Sequence, residues 1–452
     1  MKNQSLILFI AILASFVAFL DGSVVGVALP QISEQLGGGL TTQQWVNDAY
    51  LITLGSLILA AGSLSDIFGR KRIIVYGLVG FLVTSILCSV AINAEMLIIA
   101  RALQGVAGAL LVPSSLALII GAFSGPAQSK AIGTWTAWTG VAFIVGPLVG
   151  GLLVDLLSWR WVFIINIIPI AIALILLSKL RFDEQLNLSK SIDIPGIVFG
   201  AVGLGGVVFA LIEQGNYGLT HPLVWVTFTV GVLCLISFIY HESKSKHPML
   251  PLNLFSVRNF SAGNIATFFI YSALSLQGFI LVIFLQQVAG YTATLAGLVS
   301  LPITILMLLL SSKFGALAGK YGPRLFMTLG PIISSIGIFS MLNVQIPVNY
   351  WVQLLPGIIL FGLGLSITVA PLTSAILGSI KTSQAGIGSA VNNAISRIAG
   401  LMSIAIIGVF AGTSLNLEGF HSGIVICSVL LFIGGMVSFV GIRNSPKIVQ
   451  SN

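Results

Sequence analysis

Charge is what this chain has least of. Asp, Glu, Lys and Arg make up 7% of its 452 residues, whereas a soluble protein carries about 25%. The polar connectors are too short for a sizeable soluble domain. Cysteine is scarce too: Cys88, Cys234 and Cys427 stand singly inside apolar runs. That spacing excludes a disulfide framework and a cysteine metal motif, leaving packing as their role. His221, His241, His247 and His421 fall at or near the ends of apolar runs, which gives no metal or Ser/His/Asp constellation. No Gly-x-x-x-x-Gly-Lys-Ser/Thr loop occurs, which argues against an ATP-driven pump. The expectation is a protein that is not an enzyme and has no cofactor or metal. The formal net charge of +8 invites a nucleic-acid reading, but the bases lie in short turns between apolar runs, so no nucleic-acid partner is expected.

Apolar residues are abundant, at 57%. They come in repeated runs of about 20, the length that crosses a bilayer as a helix. Backbone groups in lipid must bond internally, so helices are the expected form. Fourteen spans are predicted: 6–29, 44–64, 73–92, 96–120, 131–154, 161–179, 194–213, 222–241, 259–288, 293–312, 325–344, 350–377, 385–411 and 421–441. The first run exceeds a signal-peptide core, has no small-x-small cleavage site, and ends at Pro30; it reads as the first span.

The bases sort by side. With both termini in the cytoplasm, all but three of the 20 Lys and Arg residues lie on the cytoplasmic side. Arg160 falls outside, and Arg101 and Arg397 fall within spans. Such a bias sets orientation and supports an even number of spans.

The chain also repeats. Gly62-Ser-Leu-Ser-Asp66-Ile-Phe-Gly69-Arg70-Lys71-Arg72 links spans 2 and 3. A weaker copy, Gly315-Ala-Leu-Ala-Gly319-Lys320-Tyr-Gly322-Pro323-Arg324, links spans 10 and 11. Gly105 with Pro113-Ser-Ser in span 4 matches Gly362 with Pro371-Leu-Thr-Ser in span 12. Both offsets shift by eight spans. An all-α polytopic membrane protein follows, arranged 6+2+6: an N-terminal six-helix bundle (1–180), two inserted helices with linkers (181–257) and a C-terminal six-helix bundle (258–452). Parallel halves of this kind are a transporter architecture with the site at their interface.

Four motifs now give a resemblance. They are the Gly62–Arg72 turn, Leu20-Asp21-Gly-Ser-Val-Val-Gly-Val-Ala-Leu-Pro30 in span 1, Arg101-Ala-Leu-Gln104-Gly105-Val-Ala-Gly108 in span 4, and Gly146-Pro147-Leu-Val-Gly150-Gly151 in span 5, followed by Trp159-Arg160-Trp161. Together they resemble the fourteen-helix drug:proton antiporter branch of the major facilitator superfamily. The resemblance implies a major facilitator fold, a multi-pass protein of the bacterial plasma membrane, and proton-coupled export of small molecules. By the same resemblance, Gly62, Asp66, Gly69 and Arg70 form a cytoplasmic gate, and Gly146, Pro147, Gly150 and Gly151 form the antiporter-motif helix. The other reading of the turn is a topogenic basic loop. The other reading of the span 5 set is a kinked packing face, since proline removes a backbone bond and glycines allow close approach.

Charges inside spans are costly and usually functional. Asp21 and Arg101 fall at similar depth, near enough to meet directly or through Gln104, and spans 1 and 4 line the central cavity in the resembled family. A proton-coupling or substrate role stands for them beside a purely structural pair. For Arg101 a snorkelling role is the alternative. No acid occurs between Glu242 and Glu418, so the C-terminal half offers no carboxylate at the depth of Arg397 in span 13, which would bond helix-end carbonyls or contact substrate. Asp48 and Glu213 read as interfacial. One deep acid against two arginines points to neutral, zwitterionic or weakly anionic compounds rather than dications.

The function expected is therefore proton-coupled export of small, mostly apolar compounds by alternating access, with lipid bilayer, substrate and protons as partners and a monomer as the unit. The alternatives are a facilitated uptake carrier or uniporter of a small metabolite, and export of a specific lipid-like or organic-anion metabolite. The base count makes a direct prediction. Single cysteines placed at Asn187 and Lys246 should resist an impermeant thiol reagent added to intact cells, while those at Asn216 and Asn416 should react. Labelling at position 187 from outside would overturn the fourteen-span topology.

Overall fold

The computed structural model describes residues 2–123, 125–180, 192–245, 248–381, 384–412 and 414–444; Asn187 and Lys246 lie outside the described residues. Fourteen helices are long and apolar enough to cross a membrane. We number them α1 (Gln4–Leu36), α2 (Gly39–Gly62), α3 (Arg70–Ser89), α4 (Ala94–Ala122), α5 (Lys130–Leu156), α6 (Trp161–Lys179), α7 (Ile194–Tyr217), α8 (Pro222–Lys244), α9 (Arg258–Val288), α10 (Ala293–Tyr321), α11 (Pro323–Asn343), α12 (Tyr350–Leu377), α13 (Gly386–Ala411) and α14 (Leu417–Gly441). No strand occurs among the described residues.

Two boundaries differ from the sequence expectation. The first helix does not end at Pro30 but runs on to Leu36. Proline costs one backbone bond without ending a helix; the stop comes at Gly37 and Gly38, whose φ angles of 81° and 84° suit glycine. The turn between spans 2 and 3 is also tighter than expected. Helix persists through Phe68, and α3 starts at Arg70, leaving Gly69 alone at φ 96° as the reversal. The copy is built alike. Helix persists through Tyr321 and resumes at Pro323, with Gly322 at φ 90° between. An L side chain is strained in this region, so both turns require glycine.

The repeat extends to what the basic residues grip. Lys71 donates to the carbonyl of Leu180, at the end of α6 (2.5 Å). Its counterpart Arg324 donates through Nε to the carbonyl of Phe439, near the end of α14 (2.8 Å). Both bases thus satisfy and stabilise helix C-termini, where carbonyls lack intrahelical partners.

By compactness the chain forms two units. The first comprises Met1–Pro251, Phe279–Leu298 and Ile404–Gly419; the second comprises Leu252–Gly278, Val299–Ser403 and Phe420–Asn452. Within the first, α4 packs closely on α2 and α3, α1 on α5, and α7 on α8. Within the second, α12 packs on α10 and α11. Lipid offers no hydrophobic drive between helices, so small residues set these contacts. A Cβ at Gly337 would lie 2.7 Å from the carbonyl of Gly357, and one at Gly357 would lie 2.6 Å from that of Gly337. In the inserted pair, a Cβ at Gly206 would lie 2.8 Å from the Thr227 carbonyl. The pair meets the rest of its unit along α2, where Trp45 and Phe209 stack at 5.8 Å, and at the segment Ile407–Ala411.

A Cβ at Gly105 would collide with the Tyr50 carbonyl and the Thr53 hydroxyl of α2, whereas one at Gly62 meets nothing within 4 Å. Gly105→Ala should therefore destabilise the protein by about 1–3 kcal/mol, seen as an earlier thermal transition in detergent. Gly62→Ala should leave it within about 0.5 kcal/mol of the parent. Equal effects of the two substitutions would contradict this packing.

Candidate functional site

Asp21 is fully buried within the first unit, and two helices bring three donors to it. Its Oδ2 accepts from Arg101 Nη1 at 2.5 Å. Its Oδ1 accepts from Gln104 Nε2 at 3.1 Å and from Asn166 Nδ2 at 2.9 Å. Arg101 and Gln104 lie three residues apart on α4, so both present to α1 from the same face. Asn166 comes from α6.

The donors are themselves held. Arg101 Nη1 also donates to Gln104 Oε1 at 2.6 Å, and Arg101 Nε donates to the Val46 carbonyl at 3.1 Å. The guanidinium lies 4.4 Å from the centre of the Tyr50 ring and 5.8 Å from that of Phe163. Gln104 Nε2 donates to Ser85 Oγ at 3.0 Å. Asp21 and Arg101 are each 1% exposed, which excludes the snorkelling role for Arg101. A buried carboxylate accepting from a guanidinium and two amides is satisfied as an anion. Protonating it would weaken the bond to Arg101 and free a cation in the middle of the bundle.

Sequence reasoning named Asp21, Arg101 and Gln104, and the structure brings them together. It missed Asn166, Ser85 and Tyr50. A single amide inside the apolar run 162–177 was the available signal for Asn166. Nothing in the pattern distinguished Ser85 from an ordinary helix serine.

Asp48 corrects an expectation. It is fully buried within the protein, and because α2 starts at Gly39 it lies about two and a half turns into the helix, further along than the apolar run indicated. Its Oδ1 accepts from Asn47 Nδ2 at 3.0 Å, and its Oδ2 has no hydrogen-bond partner among the described residues. Glu213 is partly exposed and accepts from Trp45 Nε1 at 2.7 Å and from Asn216 Nδ2 at 2.9 Å.

The glycines of the span 5 set seat two neighbours, both within the first unit. A Cβ at Gly146 would overlap Ser23 of α1, and one at Gly150 would lie 2.9 Å from the Val24 carbonyl. A Cβ at Gly151 would lie 2.5 Å from Thr294 Cα, at the start of α10. Gly297 makes the reciprocal approach, 2.5 Å from the Pro147 carbonyl. Beyond this, Asp155 caps the start of α10, accepting from the amides of Ala293 at 3.0 Å and Thr294 at 2.8 Å.

Of the gate set, Gly69 makes the turn and Arg70 opens α3; Gly62 borders open space. The Asp66 side chain lies outside the described residues. Arg397 lies in the second unit. One turn before it, Asn392 Nδ2 donates to Asn264 Oδ1 at 3.1 Å and to Thr267 Oγ1 at 2.8 Å. No group of three or more metal-ligating residues occurs among the described residues.

Fourteen candidate spans, with a buried acid–base network inside the first unit, define a polytopic membrane protein. The sequence model of the Major Facilitator Superfamily matches residues 11–404, and the chain belongs to that family. It is 33% identical over 407 residues to the methylenomycin A resistance protein of Bacillus subtilis, covering 89% of this chain and 86% of the relative. It is 32% identical to the puromycin resistance protein pur8 of Streptomyces alboniger, covering 88% and 80%, and 31% identical to the multidrug transporter MdtP of Bacillus subtilis, covering 90% and 75%. Such relatives place it in the drug-transporter branch, as a multi-pass integral protein of the bacterial cell membrane. Solved structures agree on the fold. An auto-inhibited POT-family peptide transporter superposes with a TM-score of 0.69 at 14% identity, covering 98% and 99% of the two chains. The xylose transporter XylE of E. coli, partially occluded and inward open, superposes with a TM-score of 0.67 at 12% identity, again covering 98% and 99%.

Removing one member of a buried pair strands the other. Arg101→Ala should destabilise the protein by about 3–5 kcal/mol, measured as thermal unfolding in detergent. Arg101→Ala combined with Asp21→Asn should recover part of that loss, because no buried anion remains. A single Arg101→Ala variant as stable as the parent would mean that the pair is not formed in the membrane.

Proposed function

We propose that the protein is a proton-coupled exporter of small, mostly apolar compounds. In this reading both termini face the cytoplasm, two six-helix halves (1–180 and 258–452) alternate access to the site, and 181–257 is an insertion. The observation that carries it is the buried bonding of Asp21 to Arg101, Gln104 and Asn166. A proton arriving at Asp21 would displace Arg101, so one chemical event is tied to a change of partners between α1 and α4. That is what coupling requires: a ligand with different affinity for two arrangements. The names of relatives, resistance to methylenomycin A and to puromycin among them, support export of drug-like compounds. The close seating of α5 on α1 and on the start of α10 supports the antiporter-motif role of Gly146, Pro147, Gly150 and Gly151. Gly62, Asp66, Gly69 and Arg70 would act as the cytoplasmic gate, and Arg397 would contact substrate.

Asp48 is the rival proton carrier. It is as fully buried as Asp21, but no cation bonds it among the described residues, so its protonation would release no charged partner. Asp21→Asn should therefore reduce pH-gradient-driven accumulation in everted vesicles by at least about tenfold, the worth of one charge-assisted hydrogen bond. Exchange of substrate without a gradient should persist, because the amide mimics the protonated acid. Asp48→Asn should retain gradient-driven accumulation. The opposite pattern would move the coupling group to Asp48, and full accumulation by both variants would favour the uniport reading.

A further inference from the structure

The inserted pair carries a second buried acid cluster that export does not use. Asp193 caps the start of α7, its Oδ1 accepting from the Gly196 amide at 3.0 Å. The same oxygen lies 2.7 Å from His241 Nε2, at the end of α8. Next along α8, Glu242 is 3% exposed, and its Oε2 accepts from the Leu250 amide at 2.9 Å. Each acid keeps one oxygen, Asp193 Oδ2 and Glu242 Oε1, buried and without a hydrogen-bond partner. Both of these oxygens point at the same spot: each lies 2.9 Å from where a Cβ on Gly196 would sit. They are therefore at most twice that distance apart, and the absence of a side chain at Gly196 leaves the gap between them open.

Two carboxylates facing each other out of water are not both ionised without cost. His241 offers at most one positive charge for the two. The elements packed here add little. On α8, Lys244 is exposed. On α2, Asp48 lies towards the opposite end, and the side chain of Asp66 lies outside the described residues, as do Lys246 and His247 in the linker. The segment Ile407–Ala411 carries no charge.

We propose that Asp193 and Glu242 hold one proton between them, and that this proton controls the segment 248–251. With the proton on Glu242, its Oε1 hydroxyl donates to Asp193 Oδ2. Oε2 keeps the Leu250 amide, His241 donates to Asp193 Oδ1, and every group is satisfied. Loss of the proton leaves two facing anions, and their repulsion loosens the Glu242–Leu250 bond. The first stretch of the first unit ends at Pro251 and the first stretch of the second begins at Leu252, so the proton sets how firmly the chain is held where it first leaves the first unit. By the base count this end of α7 and α8 faces the cytoplasm, which makes the cluster a cytoplasmic pH sensor in an insertion outside the transport site.

Hydrogen–deuterium exchange of the full-length protein in nanodiscs tests this without reference to transport. After correction for intrinsic exchange, the peptide containing Leu250 should exchange roughly tenfold faster at about pH 8 than at about pH 6. Glu242→Gln supplies an amide donor towards Asp193 and a carbonyl for Leu250, so the peptide should stay protected at both pH values. Asp193→Asn retains a capping side chain and should also abolish the pH dependence. Glu242→Ala should exchange fast at both. A wild-type peptide with no pH dependence, or both amide variants retaining it, would overturn the proposal. So would a Glu242→Gln variant as unprotected as Glu242→Ala, because the carboxylate would then be a structural acceptor only.

Discussion

The cost of bare charge in lipid governs this molecule. Taking a carboxylate or a guanidinium out of water costs several kcal/mol even after relaxation, and the chain meets that cost in two ways. Many of its bases lie in the first or last turns of helices, where Lys71 and Arg324 each take up a carbonyl at the end of a neighbouring helix. The Asp21–Arg101 pair is enclosed. Asp21 has a guanidinium and two amides, and Arg101 has a carboxylate, a carbonyl and two aromatic rings. Helix placement in the first unit follows from that enclosure. α1, α2, α4 and α6 must come close enough to complete one network, and small residues let them. Gly105 brings the α2 backbone against α4, only one residue along from Gln104.

Most of the fold was legible in the sequence because the bilayer makes it so. A backbone that must bond itself leaves helices as the solution, and their length follows from the thickness crossed. All fourteen spans were countable from apolar runs. The two errors at their ends share a cause. Proline and charge were read as helix boundaries, but a helix crosses Pro30 and starts at Arg70 as soon as glycine has made the turn. In such a chain glycine at positive φ marks the stop, and proline does not. The ends of α9, α10 and α13 that fold within the first unit were not legible, because an apolar run does not say which neighbour it joins along its length.

The site was legible to the extent that charge is rare. With so few acids, Asp21 and Arg101 stood out, and their matching depth suggested the pair that forms. Asn166, Ser85 and Tyr50 were hidden because a polar, uncharged side chain in a span is usually an interhelical bond. Asp48 was placed by the start of its apolar run, but α2 begins at Gly39, so the residue lies further along the helix than that run indicated.

The buried acids now fall into three chemically different settings. Asp21 is bonded on every side and includes a cation, so its protonation changes partners. Asp48 has one amide donor and no bonded cation among the described residues, so its protonation changes little around it. Asp193 and Glu242 face each other, so the proton itself becomes the bridge. These settings separate by what the anion is bonded to, while all four are buried: each is at most 9% exposed. Burial therefore identifies an acid whose ionisation matters, and the partner decides what its ionisation does. Linkage to a cation on another helix is what suits Asp21 to drive a change between two arrangements of the bundle. Linkage to a like acid across the glycine gap at Gly196 suits the inserted pair to report the proton concentration at its own end of the membrane.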